Sequence, residues 1–148
     1  MTKWHQRWLK YGQNLAAPRD PCLFEGERLV FRRIVGRRLI GTLLIGDYVT
    51  SQLLQIVKPH PGTSAKFLLG VLNSNLTAFL FRKTYNRTDK TFPEIRVYEL
   101  ESLPIAKLDL SRKADRAAHN TLVAQVERML KLQTDLAAAD SPDAQTHL

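Results

Sequence analysis

Gly62-Thr63-Ser64-Ala65-Lys66-Phe67-Leu68-Leu69-Gly70-Val71-Leu72-Asn73-Ser74-Asn75-Leu76-Thr77-Ala78-Phe79-Leu80 is the stretch from which the fold of this chain can be read. Phe67, Leu68, Val71, Leu72, Leu76, Phe79 and Leu80 recur every three or four residues, which places them on one stripe of an α-helix. Gly62-Thr63-Ser64 offers a turn and a hydroxyl to cap the first free amides. The pattern predicts one amphipathic helix over 65–83, packed on a sheet. Gly70, Asn73 and Ser74 are poor interior residues, each less favourable than alanine by up to about 1 kcal/mol. The small size of Gly70 suits a close approach of the sheet.

Upstream lie three extended segments. Arg28–Val35 interleaves Val30, Phe31, Ile34 and Val35 with arginine, and Gly36 makes a turn into a second strand, Arg38–Ile45. Gly46-Asp47 marks another turn, and Tyr48–Val57 is a third strand, stopped by Pro59 and Pro61. Residues 1–27 are irregular, with Trp4, Trp8, Leu9 and Tyr11 placed to form a short amphipathic helix that docks on the core.

Downstream, the helix leads into a basic, hydroxyl-rich loop, Thr84-Tyr85-Asn86-Arg87-Thr88-Asp89-Lys90-Thr91. After Pro93, Glu94–Tyr98 reads as a strand, and Leu100 and Leu103 as a turn that returns to the core before Pro104. Residues 112–139 form a second long helix, in which Leu122, Val126, Met129 and Leu136 fall at heptad-like spacing and His119 and Gln133 interrupt the seam. The expected class is α+β: a small mixed or antiparallel sheet packed with an amphipathic helix, plus a long C-terminal helix. Residues 1–110 form a recognition domain in this reading, and 111–148 a helical extension.

With 148 residues, the chain is long enough for one hydrophobic core and an appendage. No apolar run reaches the roughly 18 residues that span a bilayer. Met1-Thr2-Lys3-Trp4-His5 lacks the apolar segment of a signal peptide, and Cys22 is alone, so a reducing cytoplasm is expected. The net charge of +8 is unevenly placed. Residues 1–58 hold ten Lys/Arg against four Asp/Glu, and residues 111–148 hold five against five. The excess lies in the first two-thirds and is mostly arginine, whose planar fork suits phosphate and guanine edges. It points to nucleic acid, set against the plainer reading of a solvated basic surface.

Nothing points to chemistry. His5, His60, His119 and His147 are far apart and have no metal-ligand spacing with Cys22 or a carboxylate, so no metal is expected. Gly36, Gly41, Gly46 and Gly70 are isolated, no serine or cysteine sits in a nucleophile elbow, and no cofactor motif occurs. A magnesium nuclease needs clustered carboxylates. Asp89 and Glu94 are the only loop candidates, and they read more simply as a local charge pair with Lys90 and a strand-flanking residue. No catalytic residue is assigned.

Binding candidates fall into two groups. In a strand, neighbours point to opposite faces, so Phe31 and Arg33 share one side, and Val30, Arg32 and Ile34 the other. Arg37 and Arg38 sit at the turn. The pairs form either a solvated edge with one arginine in an ion pair, or a ridge of guanidinium groups over phosphates. Arg33, Arg37, Arg38 and Lys58 are the candidate phosphate ligands. Tyr85, Asn86, Arg87, Lys90 and Thr91 leave a helix end into a loop, where Asn and Arg are suited to bidentate contacts with adenine and guanine.

The chain from about Trp8 to Leu108 resembles the TaqI-like C-terminal specificity domain of restriction–modification enzymes. The resemblance rests on an ordered series that starts with Tyr11-Gly12, Ala17-Pro18-Arg19, Phe24-Glu25-Gly26 and Leu29-Val30-Phe31-Arg32-Arg33-Ile34. It continues through Tyr48-Val49-Thr50-Ser51-Gln52, Leu68-Leu69, Leu72-Asn73-Ser74 and Phe92-Pro93-Glu94-Ile95 to Leu103-Pro104-Ile105. The trailing helix, with Leu122-Val123, Val126 and Met129-Leu130, is similar to the spacer helices of specificity subunits. The resemblance implies a mixed α/β unit that reads a short DNA sequence beside the base to be modified. It supplies no base-contacting positions, since recognition loops in the family differ with the target.

The Asn/Asp-Pro-Pro-aromatic motif for a flipped adenine and the glycine motif for S-adenosylmethionine are both missing from this sequence. The expected function is therefore sequence-specific recognition of double-stranded DNA for an adenine-specific restriction–modification enzyme, with no catalysis or cofactor of its own. Its expected partners are duplex DNA and a methyltransferase or endonuclease module in cis or in trans, with no membrane involved. The chain is then an excised piece of a larger enzyme or a separately encoded specificity piece. The rivals are a protein–protein adaptor that uses the C-terminal helix and, behind it, a stand-alone nuclease.

Overall fold

A computed structural model describes residues 11–12, 14–36, 38–85 and 94–139. Three strands, β1 (Arg28–Arg32), β2 (Gly41–Leu44) and β3 (Leu54–Val57), form one sheet in the order β2-β1-β3. Both outer strands run antiparallel to β1, with Phe31 opposite Gly41 and Arg32 opposite Leu54. Four helices follow: α1 (Ala65–Leu72), α2 (Asn75–Tyr85), α3 (Val97–Glu101) and α4 (Lys113–Ala139). The expected α+β class is observed: a small antiparallel sheet with helices and a long C-terminal helix.

The strands are shorter than their apolar runs, and topology supplies the reason. Because both neighbours of β1 are antiparallel to it, β2 and β3 are parallel to each other. A tight turn joins only antiparallel partners, so the turn at Gly46-Asp47 cannot be a hairpin. The chain from Ile45 to Leu53 is instead a crossover, held by Arg28. This guanidinium is fully buried and donates to the carbonyls of Gly26 (2.8 Å), Gly46 (2.6 Å) and Tyr48 (2.6 Å). Gly26 and Gly46 adopt φ of 68° and 99°, a left-handed conformation that side chains disfavour, and this turns their carbonyls toward the arginine. β1 is buried from Arg28 through Phe31, so both of its faces are covered.

The helix expected over 65–83 is two helices, and Asn73 and Ser74 make the break. The Asn73 amide donates from Nδ2 to the Gly41 carbonyl and accepts the Gly41 N–H at Oδ1, both at 2.9 Å. A side chain thus pairs with both backbone groups of the edge strand, as another strand would. Ser74 then caps α2, its Oγ accepting the Thr77 N–H at 3.1 Å. Asn73→Ala is expected to destabilise the fold by about 2 kcal/mol, one hydrogen bond and its desolvated partner at a time. A loss of unfolding free energy in urea smaller than about 0.5 kcal/mol would show that water replaces the amide.

Gly70 does allow a close approach, though by α4 and not by the sheet: an added Cβ would lie 2.9 Å from carbons of both Leu122 and Val126. His119, which breaks the apolar seam in sequence, stacks on Phe67 with ring centroids 5.2 Å apart. Lys66 and Glu127 add an ion pair at 2.5 Å, partly exposed and so worth little. The core joins Leu29 and Phe31 of β1 to Leu69 and Leu72 of α1, Phe81 of α2 and Val126 of α4.

The strand expected at Glu94–Tyr98 is reduced to one bridge, Ile34 to Glu94. Val97 opens α3 instead, because the Glu99 carboxylate accepts the Arg96 N–H at 2.8 Å and so starts a helix. Near the N-terminus, Tyr11 packs edge-on against Phe24 and donates its hydroxyl to the Arg19 carbonyl. Asp20 caps the 3₁₀ turn Pro21–Phe24. Its backbone and side-chain bonds to Cys22 hold the carboxyl below the ordinary range. Trp4, Trp8 and Leu9 lie outside the described residues.

Candidate nucleic-acid interface

α2 ends in Arg82 and Lys83, both exposed, on the last turn, where free carbonyls favour positive charge. The Lys83 ammonium lies 5.9 Å from the centre of the Phe79 ring. Tyr85 closes the helix with its ring tilted against Phe81, centroids 5.4 Å apart, and its hydroxyl bonded to Ser102 Oγ. The end of α2, next to residue 86, is therefore fixed on the body of the protein.

The other stem is fixed as firmly. Ile95, fully buried, donates its N–H to the Arg33 carbonyl at 2.8 Å. Arg33 directs Nη2 (2.9 Å) and Nε (3.1 Å) at one oxygen of Glu94. Both side chains are about two-fifths exposed, so this pair orients the stem more than it stabilises the fold. Arg32 is exposed beside it, and Arg96 follows, also exposed, with its guanidinium 6.0 Å from the centre of the Tyr98 ring. Cationic side chains thus sit on the described chain on both sides of residues 86–93.

The sequence candidates are distributed unevenly over this frame. Arg33 lies at the second stem and Tyr85 at the first. Arg38 is exposed and borders a groove between β2 and α4. Lys58 is exposed at the far end of the sheet, where it donates to the Cys22 carbonyl at 2.7 Å. In the β1–β3 register Leu29 faces Val57 and Arg32 faces Leu54, so Lys58 and Arg33 are separated by on the order of 15 Å along the strands. Arg37, Asn86, Arg87, Lys90 and Thr91 lie outside the described residues.

Sequence reasoning passed over Arg82, Lys83 and Arg96 as site residues. The first two carried a usable signal, since they directly precede the polar loop on the final turn of an amphipathic helix. Arg96 carried none, because its place depends on α3 starting where a strand was expected. The pairing of Arg33 with Glu94 likewise spans too much sequence to be seen locally.

Among the described residues no three His, Cys, Asp or Glu side chains converge on a point that could hold a metal ion. The exposed Cys22 thiol is pushed above its ordinary value by its hydrogen bond to Asp20, which disfavours the nucleophilic thiolate. Among the same residues no helix is long and apolar enough to cross a membrane.

The family model of the TaqI-like C-terminal specificity domain matches residues 1–105. Its span takes in the sheet, α1 to α3 and both stems of the loop, and it stops before α4. Domains of this kind serve DNA target recognition in restriction–modification systems and are generally non-catalytic. No curated protein and no solved structure matches the chain.

Proposed function

The chain belongs to the TaqI-like C-terminal specificity domain family, and from that premise we propose that it reads a short sequence in double-stranded DNA for an adenine-specific restriction–modification enzyme, without catalysis of its own. The methyltransferase or endonuclease module acts in cis or in trans. Residues 1–110 are the recognition domain and 111–148 the helical extension. The observation that carries this reading is the fixing of Tyr85 and Glu94 on the body of the protein, with Arg82, Lys83 and Arg96 exposed beside them.

Two tasks divide among the residues. Arg33, Arg37 and Arg38, joined by Arg32, Arg82, Lys83 and Arg96, neutralise phosphates and set the register of the duplex. Lys58 extends that footprint only if the duplex runs the length of the sheet. Tyr85, Asn86, Arg87, Lys90 and Thr91 reach base edges or the neighbouring backbone. Cationic side chains on rigid elements suit phosphate contacts, because less ordering is required on binding.

Fluorescence anisotropy with a labelled duplex, repeated over a series of salt concentrations, tests the proposal. The triple variant Arg82→Ala, Lys83→Ala, Arg96→Ala is expected to flatten the log K against log salt slope by about 2–3. Affinity should fall at least about tenfold at low salt, equally for all duplexes. An unchanged slope would remove the loop stems from the interface. Absence of duplex binding in dilute buffer, alone and together with the catalytic module, would overturn the functional reading.

A further inference from the structure

Glu94 places a carboxylate among cationic side chains, and the recognition of DNA proposed above leaves it without a task. Arg33 is paired with it, and Arg32 and Arg96, both exposed, are close by along the chain. A carboxylate set against a duplex is repelled by the phosphates. It has a use in such a place where it accepts a hydrogen bond from a base amino group, which a guanidinium or an ammonium cannot do.

The backbone at this point is held from both sides. Arg33 donates its N–H to the Leu53 carbonyl and accepts the Ile95 N–H, both at 2.8 Å. Ile34 and Glu94 form a β-bridge, and Ile95 is fully buried. The carboxylate is fixed in turn, since Nη2 and Nε of Arg33 lie 2.9 and 3.1 Å from the same oxygen, Oε2. Among the described residues Oε1 has no hydrogen-bond partner, and neither has Nη1 of Arg33. The Glu94 side chain is 44% exposed, so one oxygen can meet a base while Arg33 holds the other.

We propose that Glu94 reads cytosine in the major groove, its Oε1 accepting a hydrogen bond from the N4 amino group while Arg33 positions the carboxylate through Oε2. The inference rests on the DNA-recognition reading and names one base contact within it. Two bases offer an amino group in the major groove. Adenine is the poorer match, because its N7 lone pair lies beside N6 and repels a carboxylate. The amino group of cytosine is flanked by C5–H, which does not. Nη1 of Arg33 remains available to a phosphate, so the arginine anchors the reader and keeps its share of the affinity.

Selection from a randomised duplex library by the full chain, with sequencing of the retained DNA, reads the preference position by position. The parent is expected to select cytosine, and Glu94→Ala to lose about tenfold of that preference at a single position. Glu94→Gln should exchange cytosine for thymine there. With its amide oxygen held by Arg33, the glutamine turns its NH2 to the base, and thymine carries the acceptor O4 where cytosine carries N4. Arg33→Lys keeps the charge, and with it the salt dependence, but should loosen the same position because an ammonium has no fork for a carboxylate. Replacing that cytosine by pyrimidin-2-one, which lacks the amino group, should weaken the parent about tenfold and Glu94→Ala not at all. Thermal unfolding of all three variants should match the parent, since the ion pair is partly exposed. The proposal is overturned by a parent profile without cytosine, by a Glu94→Ala profile unchanged or flattened at every position alike, or by equal losses on the pyrimidin-2-one duplex. Retention of cytosine by Glu94→Gln would overturn Arg33 as the anchor. If the parent selects no sequence at all, the recognition reading itself fails, so the two failures are distinguishable.

Discussion

Arg28→Met should lower the unfolding free energy by about 4 kcal/mol, the largest effect expected of any single substitution in this protein. Methionine keeps most of the apolar stem but removes every donor. The carbonyls of Gly26, Gly46 and Tyr48, which now accept at 2.6–2.8 Å, would face a buried gap. Bonds to a charged donor contribute about 1.5–3 kcal/mol each, and partial hydration of the freed carbonyls returns some of that sum. Among the described residues the guanidinium has no carboxylate partner, so backbone dipoles alone offset its desolvation. Arg28→Lys should recover no more than about half of the loss, because an ammonium is a compact donor and cannot reach around a fork-shaped site. Urea unfolding followed by far-UV circular dichroism measures both variants. If the methionine variant came within about 0.5 kcal/mol of the parent, the crossover would have to be held by something other than this arginine.

Gly41→Ala should come second, at about 3 kcal/mol. A Cβ at this position would lie 2.2, 2.4 and 2.7 Å from three carbons of the Phe31 ring, the residue opposite it in the register. Phe31 is fully buried and has nowhere to swing. Relief therefore requires the β2 backbone to move, which would also pull Gly41 away from the two bonds it makes with Asn73. The glycine's conformational freedom is not the issue, since what the site excludes is volume. A double-mutant cycle isolates the cause. Phe31→Leu is costly in its own right, but it empties the space that the new methyl needs, so the pair together should be less destabilising than the sum by about 1 kcal/mol or more. Strict additivity would show that the ring and the glycine are not in steric conflict.

Much of this architecture is legible in the chain because it follows from local rules. The helix stripe from Phe67 to Leu80, the extended runs around Val30 and Ile56, and the long helix ending at Ala139 are each set by spacing within a few residues. Hydroxyl and amide residues marked the helix start at Ser64 correctly. The same residue types at Asn73 and Ser74 were visible as weak points, yet nothing local says that Asn73 leaves the helix to bond an edge strand. At Glu94–Tyr98 the β-branched residues favoured a strand, and the capping of Arg96 by Glu99 outweighed them.

The candidate site divides in the same way. The polar loop and the arginine excess could be seen in the sequence. The anchoring of that loop by Tyr85 and Ser102 at one end and by Arg33 and Glu94 at the other could not, since these partners lie 17 and 61 residues apart. Lys58 shared a list with Arg33 on charge alone, and the strand register separates them.

By itself, the order of residues determined the α+β class, the positions of the main helices and strands, and membership of a DNA-recognition family, because periodicity and ordered motifs are properties of neighbours along the chain. Tertiary structure alone decided which arginine is buried as a clasp and which stay exposed. It also decided which glycine is indispensable and which asparagine closes the sheet. Those roles arise only when segments distant in sequence are brought to within 3 Å of one another, where excluded volume and unpaired backbone dipoles begin to choose between side chains that composition treats as equal.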